Sequence, residues 1–128
     1  MTAEEVIEGI CTATAAGDFA AVAAHFANDA VVFGTLGGVD QEVVLHGPDA
    51  LTRYFADVAA TWDEWRVEAD RVLRNGDVFV VFWHETARTR ELEMHNETAS
   101  LFTVRNGKVI EARGYLDRAA ALEAAGLS

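Results

Sequence analysis

Two Asn-Gly pairs, Asn75-Gly76 and Asn106-Gly107, constrain this chain more than any other feature. Asn75-Gly76 is a hairpin signal, and Asn106-Gly107 has the residue types of a type I′ turn, whose twist matches a pair of antiparallel strands. Trp65, Val67, Ala69 and Leu73, separated mostly by charged residues, mark the strand before the first turn. Residues 78–86 form the strand after it and are apolar on both faces, which implies cover on both sides. A turn at 88–91 leads to a third strand at 93–104, and the second Asn-Gly pair leads to a last one at 108–116. The second half therefore reads as a meander of long antiparallel strands. An outer face carrying Val78, Val80 and Phe82 is too apolar for water, so a homodimer through it is expected.

The first half carries the period of helices. Thr2 and Glu5 have capping-box spacing, and Val6, Ile7, Ile10, Cys11 and Thr14 then share one face. Gly17 ends that helix. Asp18 caps a second, with Phe19, Val22, Ala23 and Phe26 as its apolar side and Asn28 and Asp29 as its close. Residues 30–33 read as a short strand and 42–45 as its hairpin partner, with Gly34, Gly37 and Gly38 in a connection able to act as a lid. Pro48 opens a third helix striped by Leu51, Tyr54, Phe55, Val58 and Trp62. Asp117 caps a short tail helix that Gly126 ends.

Helices followed by strands, with no linker or repeat between, give one α+β domain over residues 1–128. A long twisted sheet bends, and three helices laid on its inner face enclose a cone. Small inward residues would leave that cone hollow.

Bulk properties exclude several roles. A formal charge of −11 is the reverse of a nucleic-acid footprint, and an anionic membrane would repel it. The longest apolar run is far too short to span a bilayer, and the N-terminus has no secretory pattern. One cysteine, Cys11, permits no internal disulfide, which fits a reducing, cytoplasmic setting.

Several segments, in order, resemble one family. Ala16-Gly17-Asp18-Phe19 and Phe26-Ala27-Asn28-Asp29-Ala30-Val31-Val32 resemble the opening of SnoaL-like polyketide cyclases and ketosteroid isomerases. His46-Gly47 with Leu51 and Phe55 resembles the start of their third helix, and Asn75-Gly76-Asp77 with Val80, Val81 and Trp83 their fourth strand. Arg105-Asn106-Gly107-Lys108-Val109-Ile110, then Tyr115 and Asp117, resembles their last strand. The resemblance implies a cone-shaped, cystatin-like roll of the nuclear-transport-factor-2-like type, with a curved antiparallel sheet under three N-terminal helices. It further implies inward faces of Phe79, Val81, Trp83 and Glu85; of Met94, Asn96, Thr98, Ser100 and Phe102; and of Ile110, Ala112, Gly114 and Leu116. The positions matching the ketosteroid isomerase base and its two oxyanion donors fall near Gly34, Ile10 and Ser100, so that mechanism is excluded here.

Glu85 is the sharpest catalytic candidate. It ends an apolar run on the Trp83 face, where an apolar surrounding would let it hold or accept a proton near neutrality. The competing reading places it at the strand end, in solvent or on Arg88. Asn96, Thr98 and Ser100 alternate and so share a face, giving polar anchors for a ligand. A register shift of one would send His95, Glu97, Ala99 and Leu101 inward instead. Tyr54, Phe55, Trp62, Trp83 and Gly114 complete the expected ligand-binding set, while Trp65 reads as core packing. His84 points away from Glu85, and no histidine pair has metal-ligand spacing, so neither metal nor cofactor is expected.

Two functional readings result. One is a cofactor-independent acid–base enzyme of the isomerase, cyclase, dehydratase or hydrolase type, acting on a small apolar molecule. The other is a non-catalytic ligand-binding or dimerisation module. A cone packed solid by Trp83, Met94 and Phe102 would count against binding and catalysis alike.

Overall fold

The computed structural model describes residues 1–34 and 43–127. The elements run α1 (Ala3–Ala15), α2 (Phe19–Ala23), β1 (Phe26–Phe33), β2 (Val44–His46), α3 (Gly47–Thr61), β3 (Glu64–Asn75), β4 (Val78–Arg88), β5 (Glu93–Arg105), β6 (Lys108–Tyr115) and α4 (Arg118–Ala124). They form one six-stranded sheet in the order β2-β1-β6-β5-β4-β3. Its long strands are the meander read from the two Asn-Gly turns. The sheet is mixed, because β1 runs parallel to β6.

Local signals set most of the boundaries. Thr2 and Glu5 exchange the reciprocal bonds of a capping box, and Asp18 and Asp117 accept from the backbone of Ala21 and Ala119. The second helix stops early. Its expected apolar face extended to Phe26, yet Phe26 already belongs to β1 and stands edge-on to Phe102 at 6.3 Å. Pairing with β6 wins there: the Val109 amide donates to the His25 carbonyl at 2.9 Å. Trp62, expected on the α3 stripe, is instead its C-cap in extended backbone and lies half-buried outside the core. Glu42 and most of the glycine-rich connection lie outside the described residues.

The core sits between the inner face of the sheet and α1, α2 and α3. Phe79, Val81, Trp83, Phe102 and Ala112 are its sheet side; Val6, Ile7, Ile10, Val22, Leu51 and Phe55 are its helix side. Two bulges alter the expected facing. The extra residue at Asp70 moves Leu73 to the outer face beside Val80 and brings Val72 to the inner one. A shift between Thr103 and Val104 pairs Val104 with Val109, so Val109 enters the core in place of Ile110. Leu116, also expected inside, lies past the strand and is 45% exposed.

The outer face of β4 and β5 does not lie open. Ala121 and Ala125 of the tail helix cover Val80, Ala99 and Leu101, with Val78, Phe82 and Tyr115 packed alongside. Arg118 fastens this helix to the sheet. Its guanidinium donates to the carbonyls of Trp83 and Thr98 at 2.8 and 3.2 Å, pairs with Asp70 at 2.6 Å, and lies over the Phe82 ring. The chain itself thus covers part of this outer face.

Candidate functional site

Glu85 is placed by the β-ladder. It pairs with Val67 on the edge strand β3 and with Asn96 on β5, on the face turned toward the helices. It is 1% exposed. The strand-end reading therefore fails, and Arg88 pairs with Glu64 instead.

Among the described residues, no cation meets this carboxylate. The Trp65 indole donates to one oxygen at 2.7 Å, and the Asn96 amide donates to the other at 3.2 Å. Burial pushes the Glu85 carboxyl above the usual carboxylate range, and the two hydrogen bonds pull part of that rise back. The group can therefore hold a proton at a pH where an exposed glutamate has lost it.

Asn96, Thr98 and Ser100 do share the inner face, opposite Glu85, Trp83 and Val81 respectively. The alternative register is excluded, with His95 and Glu97 exposed on the outside. The three differ in what they do. Asn96 holds Glu85. Ser100 accepts from the Trp83 indole at 2.8 Å, an internal pair with no group left over for donation by Trp83. The Thr98 hydroxyl is 3% exposed at residue level and has no hydrogen-bond partner. A buried unpaired hydroxyl is uncommon and costs stability, so it is the polar atom here best disposed to meet a ligand.

The remaining candidates divide. Tyr54 packs against the core and Phe55 is buried within it. Trp62 and Gly114 lie elsewhere: Gly114 borders a shallow recess with Phe33, Arg113 and Ala120. Trp65, read from sequence as packing alone, proves to be the closest partner of Glu85. Its signal was present, since Trp65 and Val67 share a face and Val67 is the cross-strand neighbour of Glu85.

The expected hollow is nearly closed. What remains inside is a cavity of about 10 Å³ lined by residues including Phe19, Phe55, Trp65, Val67, Trp83 and Phe102. Small residues at Ala112 and Gly114 do not create space, because Phe102 stands opposite Ala112 and fills it. Phe19 stacks on Phe55 at 4.7 Å and on Trp65 at 5.2 Å, closing the side of the cone. A concavity of about 800 Å³ is an open groove between α1 and β3 that contains neither Glu85 nor the polar strip.

Among the described residues, no three His, Cys, Asp or Glu converge to hold a metal ion. No described helix is long and apolar enough to cross a membrane. Burial raises the Cys11 thiol to about 11, so it is a poor nucleophile at neutral pH.

Comparison with known proteins agrees with this architecture. A hypothetical protein with a ketosteroid isomerase-like fold from Catenulispora acidiphila, solved with trimethylamine, superposes with a TM-score of 0.75 at 17% identity, over 99% of this chain and 96% of that one. A putative polyketide cyclase from Sinorhizobium meliloti gives 0.69 at 17%, over 89% and 97%. An epoxide hydrolase of M. tuberculosis described as LEH-like gives 0.69 at 17%, over 96% and 88%. At such identities the likeness is one of fold. No curated protein matches. The SnoaL-like domain family matches residues 7–112, and the chain belongs to that family.

Proposed function

We propose that this SnoaL-like protein performs cofactor-independent acid–base chemistry on a small apolar metabolite, with Glu85 moving the proton. The observation that carries this reading is a carboxyl group 1% exposed in an apolar interior, held only by two neutral donors. Burying a carboxylate without a cation is costly, and an apolar residue of similar size would stabilise the fold better. Its raised proton affinity suits a general acid or base working near neutrality. In this reading Trp65 and Asn96 orient it, and the Thr98 hydroxyl, buried without a partner among the described residues, binds a substrate oxygen or a water.

The test is proton exchange at carbon. A panel of enolisable cyclic ketones is incubated with the protein in deuterium oxide, and deuterium uptake is followed by mass spectrometry. Uptake should exceed the buffer rate for at least one ketone and vanish in Glu85→Gln, with ligand binding retained. Unchanged uptake in Glu85→Gln removes Glu85 from the chemistry.

A second reading, a non-catalytic member of the family, is favoured by the filled interior, whose cavity is about 10 Å³. It expects no enzyme-dependent uptake from any ketone.

A further inference from the structure

A buried acid in a filled cone raises the question of access. The small internal cavity is walled by residues that neighbour the acid. Its walls include Trp83, two residues before Glu85, Val67, its cross-strand partner, and Trp65, its hydrogen-bond donor. On the other side, the same cavity is closed by the rings of Phe19 and Phe55. Phe19 and Trp65 are half-buried, whereas Phe55 is buried. The stacked rings are thus one layer thick between solvent and the cavity.

Phe19 opens α2, a five-residue helix that packs against α1 and α3 and is held in the core by Val22 and Ala23. Gly17 lies just before it at φ +72, with nothing within 4 Å of where a side chain would begin. The Phe19 ring, half-buried at the start of the helix beside that open space, can therefore turn outward while Val22 and Ala23 stay in the core. The second ring, Phe55, is one of only two buried residues on the fifteen-residue α3. Trp65 is fixed on β3 and stays behind.

We infer that the Phe19–Phe55–Trp65 stack is the gate of the site, opening when the Phe19 ring turns outward at the start of α2. Opening joins the internal cavity to solvent and bares the face of Trp65, a flat apolar platform beside Glu85. The inference rests on the Glu85 reading only for what lies behind the gate; the opening itself is independent of catalysis.

Hydrogen exchange at the tryptophan indoles tests it. The Trp65 and Trp83 indole protons are both hydrogen-bonded, to Glu85 and to Ser100, and both residues line the cavity. Exchange is followed by nuclear magnetic resonance in the whole protein, with Trp65 assigned from Trp65→Phe. In the wild type the Trp65 indole should exchange at least tenfold faster than that of Trp83. Phe19→Ala should accelerate Trp65 a further tenfold or more and leave Trp83 unchanged. Phe19→Leu, which keeps apolar volume but not the stack, should fall between and guards against a misfolded alanine variant. Equal rates for the two indoles in the wild type, or equal acceleration in either variant, would mean that access requires global unfolding and would overturn the gate. No acceleration in Phe19→Leu would overturn it as well. None of these outcomes depends on whether Glu85→Gln loses deuterium transfer.

Discussion

The indole nitrogen of Trp65 and a carboxylate oxygen of Glu85 lie 2.7 Å apart on neighbouring strands, joining the aromatic wall of the interior to its one fully buried acid. The bond stabilises the charged form of a group that burial pushes toward its neutral form. Burial is the larger effect. The balance gives Glu85 a defined pH signature.

An acid whose folded-state affinity for protons exceeds its unfolded one binds more protons when folded. Stability then falls as pH rises, beginning near the ordinary value of 4.5 and ending above the raised folded value. Urea unfolding across this window should therefore show the wild type losing stability relative to Glu85→Gln as pH increases. Trp65→Phe, which deletes a donor to the charged form, should steepen the loss and move the Glu85 carboxyl titration upward. Glu5 has the opposite sign: bonds to Thr2 hold it below its ordinary value, so its contribution is present above 4.5 and fades in acid. A difference between wild type and Glu85→Gln that is flat with pH would contradict the assignment to Glu85.

Thr98 offers a test in the opposite direction. Its hydroxyl is buried without a partner, and an unmet polar group of this kind costs on the order of 1–3 kcal/mol. Thr98→Val keeps the shape and removes the hydroxyl. The variant should be more stable by about 1 kcal/mol in thermal or urea unfolding. If the hydroxyl serves a ligand, the same variant should bind that ligand more weakly. A destabilised Thr98→Val would show that the hydroxyl has a structural partner.

Arg118 joins three strands to the tail helix through Asp70, Trp83 and Thr98. Hydrogen bonds from a charged donor contribute about 1.5–3 kcal/mol. Arg118→Ala should cost an amount in that range, and it should loosen the cover over Val80, Ala99 and Leu101. Light scattering on the variant at increasing concentration should then show self-association, since an uncovered apolar strand pair seeks a partner. A variant as stable and as monodisperse as the wild type would show that the α4 cover does not depend on this clasp.

The long strands were legible because their signals are local and redundant. Asn75-Gly76 and Asn106-Gly107 mark two hairpins, alternation puts Phe79, Val81, Trp83 and Glu85 on one face, and the family resemblance implied that this face turns inward. The inward placement of Glu85 followed from the two together. What stayed hidden depended on contacts distant in sequence. Phe26 has helical spacing from Val22, and only its pairing with β6 makes it a strand residue. A bulge at Asp70 cannot be read from composition, yet it decides where Leu73 points and gives Arg118 its partner. Whether a cone is hollow depends on how Phe19, Phe55 and Phe102 interdigitate, which a face-by-face reading does not capture. The tail helix is rich in alanine, and its packing on the sheet is a contact distant in sequence. Small residues are what allow it to lie close against Val80 and Leu101.

Gly9 carries the last prediction, and it concerns how α1 meets its neighbour. A methyl group at position 9 would sit 2.6 Å from Nε2 of His25, closer than any tolerated contact. Glycine inside a helix costs about 1 kcal/mol relative to alanine, so this position gives up helix stability to seat the imidazole. The half-buried ring is depressed in proton affinity, first by burial and then by Lys108, and moving it outward is the one relief open to an alanine variant. Gly9→Ala alone should therefore destabilise by roughly 1–3 kcal/mol, the usual cost of overpacking, less what the ring recovers by swinging out. In a His25→Ala background the same change should stabilise by up to about 1 kcal/mol, because only helix propensity remains. A double-mutant cycle of urea unfolding measures the difference directly. Additive effects would mean that His25 does not occupy the space beside Gly9.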